Sequence, residues 1–144
     1  MTPERFAQLD KTLLNMAGSL AQMSLATRSK VGALVYKDDR IVSMGWNGMP
    51  SGFPNEEIEY MEDGKLVTNP LVLHAEANAI LKCSKTPGSS TENGTLYVTL
   101  SPCRECCKLI IQSGIKRVVY RDEYRITDGI DVLRRAGIKV ERLV

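Results

Sequence analysis

A chain of 144 residues with 43% hydrophobic and 25% charged content has the makeup of one ordinary globular domain. At that length a core can form without disulfides or metals to hold it together. A formal net charge of +2 with no long Lys/Arg run argues against a general nucleic-acid binder, and no apolar run nears the roughly 20 residues needed to span a bilayer.

Thr2 followed by Pro3 marks a helix start, an N-cap with proline at the first helical position. Phe6, Leu9, Leu13, Met16 or Ala17, and Leu20 then recur at spacings of three and four, which predicts an amphipathic helix to about residue 26. The same N-terminal stretch has no basic segment followed by an apolar core, so no secretory signal is expected. Residues 31–36 and 41–46, flanking Asp38-Asp39, read as a β-hairpin. Residues 47–70 carry Asn47, Gly48, Pro50, Gly52, Pro54, Asn55, Gly64 and Pro70 and read as one long irregular insertion, of a kind that is usually functional or disordered.

A second helix is expected over 74–84, a loop over 87–94 and a short strand over 96–100. A third helix follows over about 103–113, closed by Gly114, then a strand over 117–120. A helix over 128–135 ends at Gly137, with Arg134 and Arg135 on its solvated face, and residues 139–144 make the last strand. The order α-β-β-α-β-α-β-α-β implies parallel crossovers in the second half, an antiparallel hairpin at the start, and so a mixed sheet in one domain over 1–144.

The four cysteines are Cys83, Cys103, Cys106 and Cys107, three of them within five residues, which points to metal or redox chemistry rather than a disulfide framework and to a cytoplasmic location. Cys103 and Cys106 are three apart at a helix start, so both thiols share a face where the helix end favours thiolate. His74, the only histidine, also stands at a helix start, inside His74-Ala75-Glu76. Catalytic zinc takes three nitrogen or sulfur ligands and keeps a fourth position open. His74, Cys103 and Cys106 supply three, and Glu76 is left free to move protons beside a water acidified by the metal. Cys107 lies four residues from Cys103 and competes with Cys106 as ligand; its other reading is a small buried hydrophobe. Cys83 reads as core.

His-x-Glu with Pro-Cys-x-x-Cys is the signature of zinc deaminases. Beyond it, Lys30-Val31-Gly32-Ala33, Gly45-Trp46-Asn47-Gly48-Met49-Pro50-Ser51-Gly52, His74-Ala75-Glu76-Ala77-Asn78-Ala79-Ile80, Ser101-Pro102-Cys103-Arg104-Glu105-Cys106, Gln112-Ser113-Gly114-Ile115-Lys116 and Ala136-Gly137-Ile138 resemble the deoxycytidylate (dCMP) deaminases of the cytidine deaminase superfamily. The resemblance covers nearly the whole chain. It implies a three-layer α/β/α fold with a five-stranded mixed sheet, one Zn2+ per subunit, and conversion of dCMP to dUMP for thymidylate synthesis. It also implies a homo-oligomer, often a hexamer, activated by dCTP and inhibited by dTTP, with Mg2+ accompanying a bound triphosphate, and with neither nucleic acid nor membrane as partner.

Carried over residue by residue, the resemblance makes Asn47 a sugar contact and puts Ser101 and Tyr124 with the substrate, Tyr124 near its phosphate. Gly45, Trp46, Asn47 and Gly48 become candidate effector contacts. Trp46 stands where the family commonly has tyrosine, and a single histidine gives little support for the second, structural zinc of some relatives. From charge alone, Arg28 and Lys30 beside Ser29 are candidates for the phosphate, or else ordinary solvated charge. The rival readings are a deaminase of free cytidine, dCTP, a tRNA adenosine or a riboflavin-pathway pyrimidine, and a non-catalytic zinc module with Cys107 as fourth ligand.

Overall fold

Alternation along the strands fixes which residues face which layer. In the computed structural model, which describes residues 1–144, the five-stranded sheet runs β2-β1-β5-β6-β7. Its strands are β1 (Gly32–Lys37), β2 (Arg40–Trp46), β5 (Thr95–Leu100), β6 (Arg117–Asp122) and β7 (Lys139–Arg142). β1 pairs antiparallel with β2 and β5, whereas β5, β6 and β7 are parallel, so the sheet is mixed. Ala33, Val35, Leu96, Val98, Val118 and Tyr120 point to one face, where they join Cys107, Ile110, Ile130 and Leu133 in a fifteen-residue core cluster. Residues one place along, Leu34, Tyr97 and Val119, point to the other face and meet Leu13, Leu14 and Ala17. Helices α2 (Ala75–Ser84), α3 (Arg104–Gln112) and α4 (Asp128–Arg135) cover the first face, and α1 (Pro3–Ala21) covers the second, which gives the expected three layers.

The α1 start is as expected, with Thr2 Oγ1 accepting from Arg5 N at 3.2 Å. The helix ends at Ala21 rather than near residue 26. Met23 N and Ser24 N bond to carbonyls three residues back, tightening the last turn, and the buried Ser24 hydroxyl donates to Asn47 O at 2.9 Å. That bond turns the chain into the loop before β1. The last strand likewise stops at Arg142, short of residue 144.

Residues 47–70 are less irregular than their composition suggests. A 3-10 turn (Asn55–Ile58) leads into β3 (Glu59–Glu62) and β4 (Lys65–Thr68), a separate two-stranded hairpin. Its turn is Asp63-Gly64, both at positive φ (50° and 75°), the geometry an Asp-Gly pair favours. Two hydrogen bonds between Gly48 and Leu73, at 3.1 and 2.8 Å, close the whole excursion at its base.

On the α1 face a polar network is buried among apolar neighbours. Arg117 donates to Asp10 Oδ1 at 2.9 Å and Oδ2 at 2.6 Å, and its Nε donates to Glu141 at 3.0 Å. Tyr97 OH donates to Asp10 at 2.5 Å, and the Phe6 ring lies 5.0 Å from the guanidinium. Burial opposes the Asp10 charge, but hydrogen bonds from Arg117 and Tyr97 outweigh it and hold the carboxyl below its usual range. No helix is long and apolar enough to cross a membrane.

Candidate active site

Four connections gather at one end of the sheet: those entering β1 and leaving β2, β5 and β6. In open α/β sheets ligands bind beyond the carboxyl ends of strands. Here β5 ends at Leu100, and Ser101-Pro102-Cys103 carries the chain straight into α3.

His74 and Cys103 are the N-cap residues of α2 and α3. Both have extended backbones, with ψ of 158° and 167°, and neither side chain spends its polar atom capping its own helix. The two side chains meet Cys106, one turn into α3: His74 Nδ1 is 3.3 Å from Cys106 Sγ and 3.5 Å from Cys103 Sγ. The three potential ligand atoms lie within 4.8 Å of one another. Cys106 is buried, Cys103 half-buried and His74 exposed, so the cluster has a dry side and an open side. One imidazole nitrogen and two sulfurs match the donor preference of zinc, and three ligands with one open side match a catalytic rather than a structural site.

Charge follows from that packing. Hydrogen bonding from the Cys106 thiol and then from His74 holds the Cys103 thiol down at about 3. The same bond to Cys103, with burial, pushes the Cys106 thiol well up. The bond to Cys103 raises His74. Glu76, only 4% exposed in the first turn of α2, is pushed up to about 7 by burial. A buried carboxyl there can carry a proton near neutrality.

Cys107 is separate from this group. It is fully buried in the main core, its Sγ 3.7 Å from the Pro102 carbonyl, and burial raises it to about 12. Gly129 explains how α4 comes so close: a Cβ there would sit 2.7 Å from Pro102 O and 2.9 Å from Cys107 Sγ. Arg104 and Asp128 pair across the same α3–α4 contact.

A cleft of about 300 Å3 opens beside the cluster, lined by His74, Glu76 and Cys103 and by Arg28, Asn47, Ser101 and Tyr124. The Asn47 side chain is anchored: Oδ1 accepts from Val31 N at 2.9 Å and Nδ2 donates to Ser29 O at 2.8 Å. One N–H and one lone pair remain for a ligand. Ser101 Oγ accepts from Tyr124 N at 2.7 Å, which ties the loop after β6 to the end of β5. Lys30 is not brought into the cleft; Ser29 and Val31 line it, and Lys30 between them is exposed.

Gly45, Trp46 and Gly48 also lie outside the lining. Gly45 is buried under α2, where a Cβ would meet Ala75 O and Ala79 N at 2.7 Å each. The Trp46 carbonyl accepts from Asn78 at 2.8 Å, and its ring faces Lys82 Nζ at 4.6 Å. Sequence reading missed Ile58, Thr68 and Val72, which reach the cleft from the 48–73 excursion, and Glu59, which binds the Thr27-Arg28 backbone. The one local signal was the Asp63-Gly64 turn, which announces a hairpin but not where it docks.

A family model described as the cytidine and deoxycytidylate deaminase zinc-binding region matches residues 7–122. The deoxycytidylate deaminase of Enterobacteria phage T2 is 35% identical to this chain, covering 90% of it and 89% of the relative. The deoxycytidylate deaminase of Homo sapiens is 42% identical, covering 86% and 73%. The crystal structure of the dCMP deaminase from cyanophage S-TIM5 in complex with dCMP and dUMP matches with a TM-score of 0.88 at 46% identity, covering 99% of each chain.

Proposed function

This chain belongs to the cytidine and deoxycytidylate deaminase family, and from that premise we propose that it hydrolyses dCMP to dUMP and ammonia as a zinc enzyme. The observation that carries the reading is one cleft lined both by the His74–Cys103 end of the metal-ligand cluster with Glu76 and by the polar residues Arg28, Asn47, Ser101 and Tyr124. The relatives named deoxycytidylate deaminase, and the similarity to the cyanophage enzyme bound to dCMP and dUMP, support dCMP as substrate.

His74, Cys103 and Cys106 would hold the zinc, their donor atoms fitting it in kind and number. Zinc in such a site lowers the pKa of water to near neutrality and so supplies a nucleophile. Glu76 would take one proton from such a water and hand it to ring N3, then take the second from the oxygen newly bonded to C4 and hand it to the amino group, which leaves as ammonia. Its burial keeps bulk water from competing for those transfers. Asn47, fixed by the 29–31 backbone, offers its remaining N–H and lone pair to the sugar. Arg28 and Tyr124 serve the phosphate.

The reading extends to dCTP activation and dTTP inhibition through the Gly45–Gly48 segment, to Mg2+ only as companion of a triphosphate, to a homo-oligomer such as a hexamer, and to a single cytoplasmic domain. The Trp46 ring beside Lys82, outside the cleft, is chemistry suited to a base and a phosphate. The experiment is ammonia release from dCMP, deoxycytidine, cytidine, dCTP and tRNA, with metal content measured on the same preparation. The expected result is turnover of dCMP foremost, with one zinc per chain. Inert dCMP beside reactive cytidine would overturn the substrate assignment.

A further inference from the structure

Arg28 is the only arginine or lysine lining the cleft, and it stands in an irregular loop between α1 and β1. Yet it is held at both ends by two residues that face each other across the β3–β4 hairpin, Glu59 and Thr68. The Glu59 carboxylate accepts from Arg28 N at 2.8 Å, from Thr27 Oγ1 at 2.8 Å and from Thr27 N at 3.1 Å. The Thr68 hydroxyl accepts from Arg28 Nη1 at 3.0 Å. None of the chain's seven ion pairs includes Arg28, so no carboxylate contacts its guanidinium directly, although the Glu59 charge is near enough to interact with it. Of the five N–H donors on a guanidinium, one is used.

We propose that the β3–β4 hairpin sets selectivity for nucleotide over nucleoside, with Glu59 and Thr68 as positioning residues that hold Arg28 for the 5′-phosphate. The proposal rests on the dCMP reading above. Its physical basis is preorganisation: a long arginine fixed before binding loses less freedom when the phosphate arrives. A guanidinium fork with free donors matches a phosphate's oxygens, and a deoxynucleoside offers it nothing. Glu59 serves this best as an anion spent on backbone amides. Burial works against its charge, but hydrogen bonds from Arg28 and Thr27 outweigh it and keep its carboxyl below the usual range.

The test is steady-state kinetics of Glu59→Ala, Thr68→Val and Thr68→Ser on dCMP and deoxycytidine, alone and with Arg28→Ala, together with dissociation constants for dUMP. Glu59→Ala is expected to raise KM for dCMP and Kd for dUMP on the order of ten-fold, the scale of a lost hydrogen bond to a charged group, with a much smaller change in kcat. Thr68→Val is expected to raise KM about three-fold, and Thr68→Ser, which restores the hydroxyl, to return it to wild type. Neither change adds to the effect of Arg28→Ala. Equal losses on dCMP and deoxycytidine, or effects that persist in full without Arg28, overturn the proposal and make the hairpin a structural strap. Should Glu59→Ala fail to fold, the Thr68 pair decides by the same criteria. A wild-type protein inert on dCMP overturns the functional reading and this proposal together. A wild type active on dCMP with unaltered variants overturns the proposal alone.

Discussion

Both faces of the sheet bury ionisable side chains, and they do so in opposite ways. Under α1, Asp10, Tyr97, Arg117 and Glu141 satisfy one another: bidentate carboxylate to guanidinium, phenol to carboxylate, second carboxylate to Nε. Under α2 and α3, Glu76, Cys106 and Cys103 crowd with His74, but the donor atoms have mainly each other, and the cluster is open on one side. A closed network fixes structure. An open one, made of metal-ligating atoms beside a cleft, is arranged for a ligand. Buried polarity here reports function where it gathers metal-ligating atoms beside an open cleft.

The comparison breaks most visibly at Glu76. Replacing it with glutamine removes the proton carrier but little volume, so kcat is expected to fall on the order of 10³-fold while zinc per chain, read by atomic absorption, holds. A retained kcat would leave the open cluster without its assigned chemistry. On the closed side the effect should be on stability instead. Arg117→Ala strands Asp10 and is expected to cost about 3–5 kcal/mol in urea unfolding, with kcat of the folded protein unchanged. Loss of turnover without loss of stability would show that the two faces are not separate in role.

A paired substitution sharpens the boundary between them, which runs between adjacent cysteines. Cys106→Ser is expected to lose zinc and activity. Cys107→Ser is expected to keep both and to lose about 1–3 kcal/mol of stability, from a hydroxyl in an apolar core. The reverse pattern would exchange their roles. The mildest probe is pH. The folded Asp10 pKa is depressed, so its contribution is fully present above the unfolded value, near 4, and is lost as pH falls through the lower folded value. The stability gap between wild type and Asp10→Asn should be flat above about pH 4 and close below it, as read by denaturant titration. A gap that closes between pH 5 and 7 would contradict a depressed Asp10.

The open cluster was legible in sequence because its signals are local. His74 and Glu76 are two apart, Cys103 and Cys106 three, and each pair sits at a helix start whose pattern is plain. The mixed character of the sheet, an antiparallel hairpin followed by parallel crossovers, also followed from α and β alternation. The closed network was not legible, although Asp10 occupies a position on the apolar stripe of α1, four from Phe6 and three from Leu13. A charge on such a stripe announces a buried partner, but Tyr97 and Arg117 are 87 and 107 residues away. The β3–β4 hairpin escaped for a different reason. None of its eight strand residues is buried, and five of them, Tyr60 to Glu62, Lys65 and Leu66, are exposed, so no in-out alternation marks it. Its grip on Arg28, 31 and 40 residues away, is purely tertiary.

The Gly48–Leu73 bridge places entry and exit of that excursion side by side, one residue before His74. Whatever lies between can be lengthened, shortened or replaced with only a slowly growing cost in chain entropy. The clamp shields the histidine from those changes. The excursion is thus an exchangeable cartridge on a fixed socket, and recognition can evolve in it while the metal ligands stay where they are.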